Sequence, residues 1–155
     1  MTPATLDHAG IAALIPHAGP MCLLDRMTSW RDEAIECVAV NHRDPHHPLR
    51  SASGLLASAT IEYAAQAMAL HGALTGVAAG RAAGPGVLAS ARDVQLACRR
   101  LDDLPGADPD ALVVAATRHA ADAGRILYAF SVRHGGRELA SGRVTVVLDA
   151  LANGR

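Results

Sequence analysis

Apolar residues at positions 6, 11, 14 and 15 predict a short helix over Leu6 to Ile15, stopped by Pro16. Met21 to Ser29 is mostly apolar and leads through Trp30 to a polar turn at Arg31-Asp32-Glu33. Ala34 to Asn41 then alternates in part, with Ile35, Cys37, Val38 and Val40, so the two runs predict a β-hairpin. Residues 42 to 54 carry Pro45, Pro48, Gly54 and three histidines, which is a loop composition. From Leu55 to about Ala78 runs the one long helical pattern, with Ile61, Ala65, Met68, Gly72 and Thr75 on one stripe and small residues over most of the rest. A helix apolar on nearly all sides is expected to be wrapped by other structure. After a Gly/Pro/Ala turn at 79 to 86, strand-like runs follow at Val87 to Cys98, Ala111 to Ala120, Ile126 to Arg133 and Glu138 to Leu148. Turns at 101 to 106 and 134 to 136 separate them.

The order is helix, two strands, one long helix, four strands. It predicts an α+β protein with a twisted antiparallel sheet wrapped around one central helix. There are no repeats and no second-domain boundary. One domain over residues 1–150 is expected, with 151–155 as a disordered tail.

Composition narrows the function. Half of the 155 residues are hydrophobic, yet only Trp30, Tyr63, Tyr128 and Phe130 are aromatic, so the core must be Ala, Leu and Val packed closely. Fourteen basic and fifteen acidic residues leave a formal charge of −1, which argues against a nucleic-acid binder. Cys22, Cys37 and Cys98 are odd in number and widely spaced, so free thiols are expected. The first residues show no secretory signal, and no run is long and apolar enough to span a membrane. A soluble, cytoplasmic protein is expected.

The chemistry concentrates in Ile61-Glu62-Tyr63-Ala64-Ala65-Gln66. Glu62 and Gln66 stand at i and i+4, on one helix face, in a setting that is otherwise small or apolar. A buried carboxyl must be paired or used, and burial disfavours its charged form, which is what fits such a group to general acid–base work near pH 7. Gln66 could orient it or bind a substrate carbonyl. The bland alternative for Glu62 is a solvated or ion-paired residue near the helix start. His17, between Pro16 and Ala18-Gly19-Pro20, sits on a rigid bend and offers an imidazole that titrates near neutrality, or else a ring that fixes the turn. His42, His46 and His47, with Asp44, precede the helix; their irregular spacing does not predict a metal site. The glycines at 80 to 86 follow a helix rather than a strand and are not a dinucleotide-binding loop.

Two motifs together resemble a known family. Pro16-His17-Ala18-Gly19-Pro20-Met21-Cys22-Leu23-Leu24-Asp25-Arg26-Met27 resembles the amino-terminal signature of the 3-hydroxyacyl-acyl carrier protein dehydratases, and residues 61 to 67 resemble their Glu-x-x-x-Gln helix motif. Arg43-Asp44-Pro45 and Pro48-Leu49-Arg50 ahead of that helix are similar to the divergent branch from aryl polyene gene clusters. The resemblance implies a hot-dog fold and dehydration of a 3-hydroxyacyl thioester to the trans-2-enoyl thioester, without a cofactor or metal. It implies a phosphopantetheine-bearing acyl carrier protein as partner, and a homodimer or a heteromer with another dehydratase-like subunit. The family's acidic group falls on Glu62 and its supporting Gln on Gln66, with Gly54 and Leu55 on the substrate side. A helix N-terminus can also polarise the thioester carbonyl.

One departure matters. The main family carries its catalytic His in a Gly-His-Phe-Pro-Gly-His-Pro loop, which this sequence lacks. His17 or His47 is therefore the expected second catalytic group, with His17 preferred. The alternatives are a hot-dog thioesterase, which needs only the helix carboxylate, and a non-catalytic dehydratase-like subunit.

Overall fold

The computed structural model describes residues 3–80 and 86–148; the tail expected at 151–155 lies outside them. The chain runs β1 (Leu6–Asp7), α1 (His8–Ala12), a 3-10 turn (Gly19–Met21), β2 (Arg26–Arg31), β3 (Ala34–Ala39), α2 (Ala59–Ala78), β4 (Gly86–Leu96), β5 (Leu112–Asp122), β6 (Arg125–His134) and β7 (Arg137–Leu148). All seven strands join one antiparallel sheet in the order β1-β2-β3-β5-β6-β7-β4. With α2 packed across β3, β5, β6 and β4, this is the hot-dog arrangement.

Side chains alternate across a strand, so one face of each can enter the core. Leu112, Val114 and Ala116 of β5 and Ile126, Tyr128, Phe130 and Val132 of β6 do so, meeting Tyr63, Ala64, Ala67, Leu70 and Leu74 of α2 in one cluster. Packing is close enough to require small residues. A Cβ at Gly142 of β7 would lie 2.8 Å from Phe130 and 3.0 Å from Val94.

Three local expectations shift for identifiable reasons. The first helix shrinks to His8–Ala12 because Leu6 pairs with Met27 as a strand and the Asp7 carboxylate caps the helix through the Gly10 N–H. The second run becomes a strand only at Arg26 because the Leu23 N–H is taken by the Gln66 side chain instead of a neighbouring strand. Helix α2 starts at Ala59 because residues 55 to 57 are tied to residues 99 to 101: the Ala57 N–H donates to the Arg99 carbonyl and the Leu101 N–H to the Leu55 carbonyl. Helix α2 ends where Gly80, at φ +70°, turns left-handed.

The sheet wraps α2 incompletely. A stripe of Glu62, Ala65, Ala69, Gly72 and Thr75 stays half-exposed, and a Cβ built at Gly72 meets nothing within 4 Å. Strand β4 is an edge, exposed along most of its length, with Val87, Leu88 and Leu96 between 38% and 48% exposed. Among the described residues no helix is long and apolar enough to cross a membrane.

Candidate active site

Glu62 lies in the first turn of α2, and the bend at Pro16 to Met21 passes directly over it. His17 Nε2 stands 3.1 Å from Glu62 Oε1. Glu62 is not buried, as its sequence setting suggested; its side chain is 34% exposed and that of His17 is 25% exposed. The half-open stripe of α2 is what leaves it accessible.

The buried polar group on this face is Gln66, with no exposure. Its amide oxygen accepts from the Leu23 N–H (2.8 Å), and its nitrogen donates to the Met21 carbonyl (2.6 Å) and to Glu62 Oε1 (3.3 Å). Its hydrogen bonds thus run to the chain that carries His17 and to Glu62.

His47 stands elsewhere. It is buried, its Nδ1 accepts from the Leu49 N–H (3.0 Å), and its Nε2 therefore carries the proton toward the Tyr63 hydroxyl (2.9 Å). The Tyr63 hydroxyl in turn donates to Asn41 Oδ1 (2.6 Å). Both ring nitrogens of His47 are engaged, and burial lowers its basicity while pushing the Tyr63 phenol well up. His46 is exposed, and its N–H is held by the Asp44 carboxylate.

Gly54 and Leu55 belong to a pinned loop. Gly54 adopts φ +93°, and a Cβ there would lie 2.6 Å from the Arg100 guanidinium. The Leu55 N–H donates to Asp102 Oδ1 (3.0 Å), and the same nearly buried carboxylate holds Arg100 (2.6 Å) and Arg50 (3.2 Å). Those partners hold the Asp102 carboxyl well below the usual carboxylate range. The N–H groups of Ala59, Thr60 and Ile61 donate to the carbonyls of Leu56, Ala57 and Ser58, so they are spent inside the helix start rather than aimed at a thioester.

Arg43 is equally structural. It donates to both Asp110 oxygens and to the carbonyls of Asp102, Leu104 and Pro105, stitching the 102–110 segment to the end of β3. His42 and His134 also direct Nε2 at Asp110 Oδ1, at 3.0 and 2.8 Å. These three residues have the donor set of a metal site. Metal on His42 Nε2 would place a proton on its buried Nδ1, which has no hydrogen-bond partner. The tautomer that donates Nε2–H to Asp110 avoids that cost, and Arg43 already neutralises the carboxylate. Sequence reasoning missed Asp102, Asp110 and Tyr63 as anchors, because, apart from Arg100 beside Asp102, their partners are distant in the chain and no local spacing signals them.

The model of the ApeP dehydratase family matches residues 9–153. The chain belongs to the ApeP dehydratase family. A comparison with curated protein sequences gave no match. Among solved structures, the chain resembles the dehydratase heterocomplex ApeI:P from Xenorhabdus doucetiae, with a TM-score of 0.78, 21% identity and 92% of each chain covered. It also resembles the PaaI protein of the Escherichia coli phenylacetic acid degradation operon (TM-score 0.56, 12% identity, 90% of this chain and 88% of that one). Thioesterase HI1161 from Haemophilus influenzae matches at a TM-score of 0.57 and 14% identity, over 83% of this chain and 80% of that one. At these identities the structural likenesses establish the hot-dog fold, and the family membership rests on the sequence match.

Proposed function

We propose that this member of the family dehydrates a 3-hydroxyacyl group carried as a thioester on acyl carrier protein, in the cytoplasm, with His17 and Glu62 as the catalytic residues. The observation that carries the reading is the 3.1 Å contact between them. Dehydration needs one group to take the proton from the α-carbon and another to protonate the departing 3-hydroxyl. A carboxyl and an imidazole in contact can divide these two tasks between them. One member takes the α-proton, the C–H pair becomes the new double bond, the C–O bond breaks, and the other member's proton leaves with the hydroxyl as water. A single proton hop across the contact restores the pair. No cofactor is required.

The half-exposed stripe supports the same reading. Ala65, Ala69 and Gly72 continue from Glu62 along α2, and the ten helical steps from Glu62 to Gly72 rise ~15 Å, room for an extended acyl chain. The exposed edge of β4 suits a second hot-dog subunit that would close this groove, and the ApeI:P assembly is a dehydratase heterocomplex.

Incubating the purified protein with a 3-hydroxyacyl carrier thioester, and following the acyl-carrier mass, tests the proposal. Loss of one water that disappears in Glu62→Gln supports it. Release of free acid would replace it with a thioesterase, and no change with or without a second dehydratase subunit would sink it.

A further inference from the structure

We infer, on the proposed dehydratase reading, that Arg118 and Asp32 determine specificity at the far end of the acyl groove, where they select a chain that ends in a hydroxyl group.

Strand β5 sends Leu112, Val114 and Ala116 into the core, and alternation puts Arg118 next on that inward row. Its cross-strand partner on β6 is the buried Tyr128, and the pairing slips between Arg118 and Ala120, immediately after it. A bulge at that place bends the strand and re-aims the side chains beside it. The Arg118 N–H donates to the Glu33 carbonyl (2.7 Å), which holds the turn between β2 and β3, with Asp32, against β5. Arg118 is half-buried, yet among the described residues its guanidinium makes no ion pair. A charge withdrawn from water without a partner is costly, so this one needs a reason.

Arg118, Asp32, Thr75, Ala78 and Ala79 line a cavity of about 280 Å³. Thr75 also belongs to the half-exposed stripe of α2 that begins at Glu62, so the cavity continues that groove. The thirteen helical steps from Glu62 to Thr75 rise ~20 Å, which puts the cavity where the far end of an extended acyl chain arrives. The Thr75 hydroxyl is spent on the carbonyls of His71 and Gly72. The cavity therefore offers the N–H donors of Arg118 and the carboxylate of Asp32, two opposite charges that share it without pairing. A methyl end strips water from both and bonds to neither. A hydroxyl accepts from Arg118 and donates to Asp32. The competing role for Arg118 is that of a cation offsetting the dipole at the C-terminus of α2, which predicts an effect on stability and none on the choice of chain end.

Two 3-hydroxyacyl carrier thioesters of equal length, long enough to reach Thr75 and ending in a methyl or a hydroxyl group, separate these roles. In the wild type, kcat/KM for dehydration should favour the hydroxyl end by about 10-fold or more, the scale of a hydrogen bond to a charged group. Arg118→Met should bring the two substrates within about twofold of each other, and Asp32→Ala, in an exposed turn, should shrink the preference by a smaller factor. Equal kcat/KM for the two ends in the wild type overturns the inference. A preference that survives Arg118→Met overturns it too, and a lowered melting temperature alone assigns Arg118 to the helix end. If Arg118→Met does not fold, Asp32→Ala decides, and an undiminished preference there is the contrary result. Should the wild type dehydrate neither thioester, the dehydratase reading falls by itself. Calorimetric affinities for the matching pantetheine amides, in the same proteins, then decide the role of Arg118, with equal affinity for both ends overturning it.

Discussion

Replacing Tyr63 by Phe removes one oxygen from the centre of the fold and leaves the ring in place. Tyr63 is fully buried, its hydroxyl donates to Asn41, and it accepts from the buried His47. Losing the hydroxyl strands the His47 Nε2–H, while the half-buried Asn41 can turn partly to water. A buried donor left without a partner costs ~1–3 kcal/mol, so the variant should lose about 2 kcal/mol. For a chain of this length that corresponds to a fall in melting temperature of roughly 4–8 °C. Calorimetry reads the shift, and urea unfolding with an unchanged slope confirms that the native state alone was affected. Below its melting transition the variant should still turn over substrate, because Tyr63 and His47 stand apart from the His17–Glu62 contact. A Tyr63→Phe variant as stable as the wild type would refute the hydrogen-bond chain and with it the assignment of His47 to structure.

Three further outcomes follow from the same geometry. His42, His47 and His71 are buried, and desolvation lowers their basicity in the fold, so each accepts its proton more readily when unfolded. The stability they contribute is complete above the ordinary histidine value of about 6.5 and is lost below it at up to ~1.4 kcal/mol per pH unit each; urea titrations between pH 7 and 5 should show the decline, and a flat profile would contradict it. Gly54→Ala should destabilise the protein by more than about 1 kcal/mol and depress turnover, because a Cβ at φ +93° meets the Arg100 guanidinium in the loop that sets the start of α2; an unchanged melting temperature would argue against that loop. If a second subunit pairs on the β4 edge as proposed, Val87→Asp should lower the mass seen by light scattering to that of a monomer, and an oligomer of unchanged mass would contradict that placement.

Periodicity exposed most of the fold because the long strands and α2 are read by patterns of two and three to four residues, and nearly every such segment became the element expected. The short elements were less legible for a common reason. Leu6, Leu23 and Leu55–Ala57 spend their backbone groups on partners far along the chain, and local spacing carries no trace of that. At the site, Glu62 and Gln66 stood out because polar groups one turn apart in an Ala-rich helix are unusual, and His17 stood out because Pro and Gly fix its bend. Their relative exposure was not legible: α2 reads as apolar all round, and only the sheet decides that Gln66 is enclosed while Glu62 faces the open stripe. The Arg43-Asp44-Pro45 and Pro48-Leu49-Arg50 segments were visible as motifs, but their work, holding Asp110 and Asp102, appeared only in three dimensions.

The central claim is that His17 and Glu62 form the reactive pair and His47 does not take part in the chemistry. Rates of water loss from a 3-hydroxyacyl pantetheine thioester, compared for the wild type, His17→Ala and His47→Ala at a temperature where all three are folded, test it most directly. The expected result is a fall of about 100-fold or more for His17→Ala, the scale of a lost general acid or base, and a rate within a few-fold of the wild type for His47→Ala. A His17→Ala protein that dehydrates at the wild-type rate, with His47→Ala inactive, would contradict it.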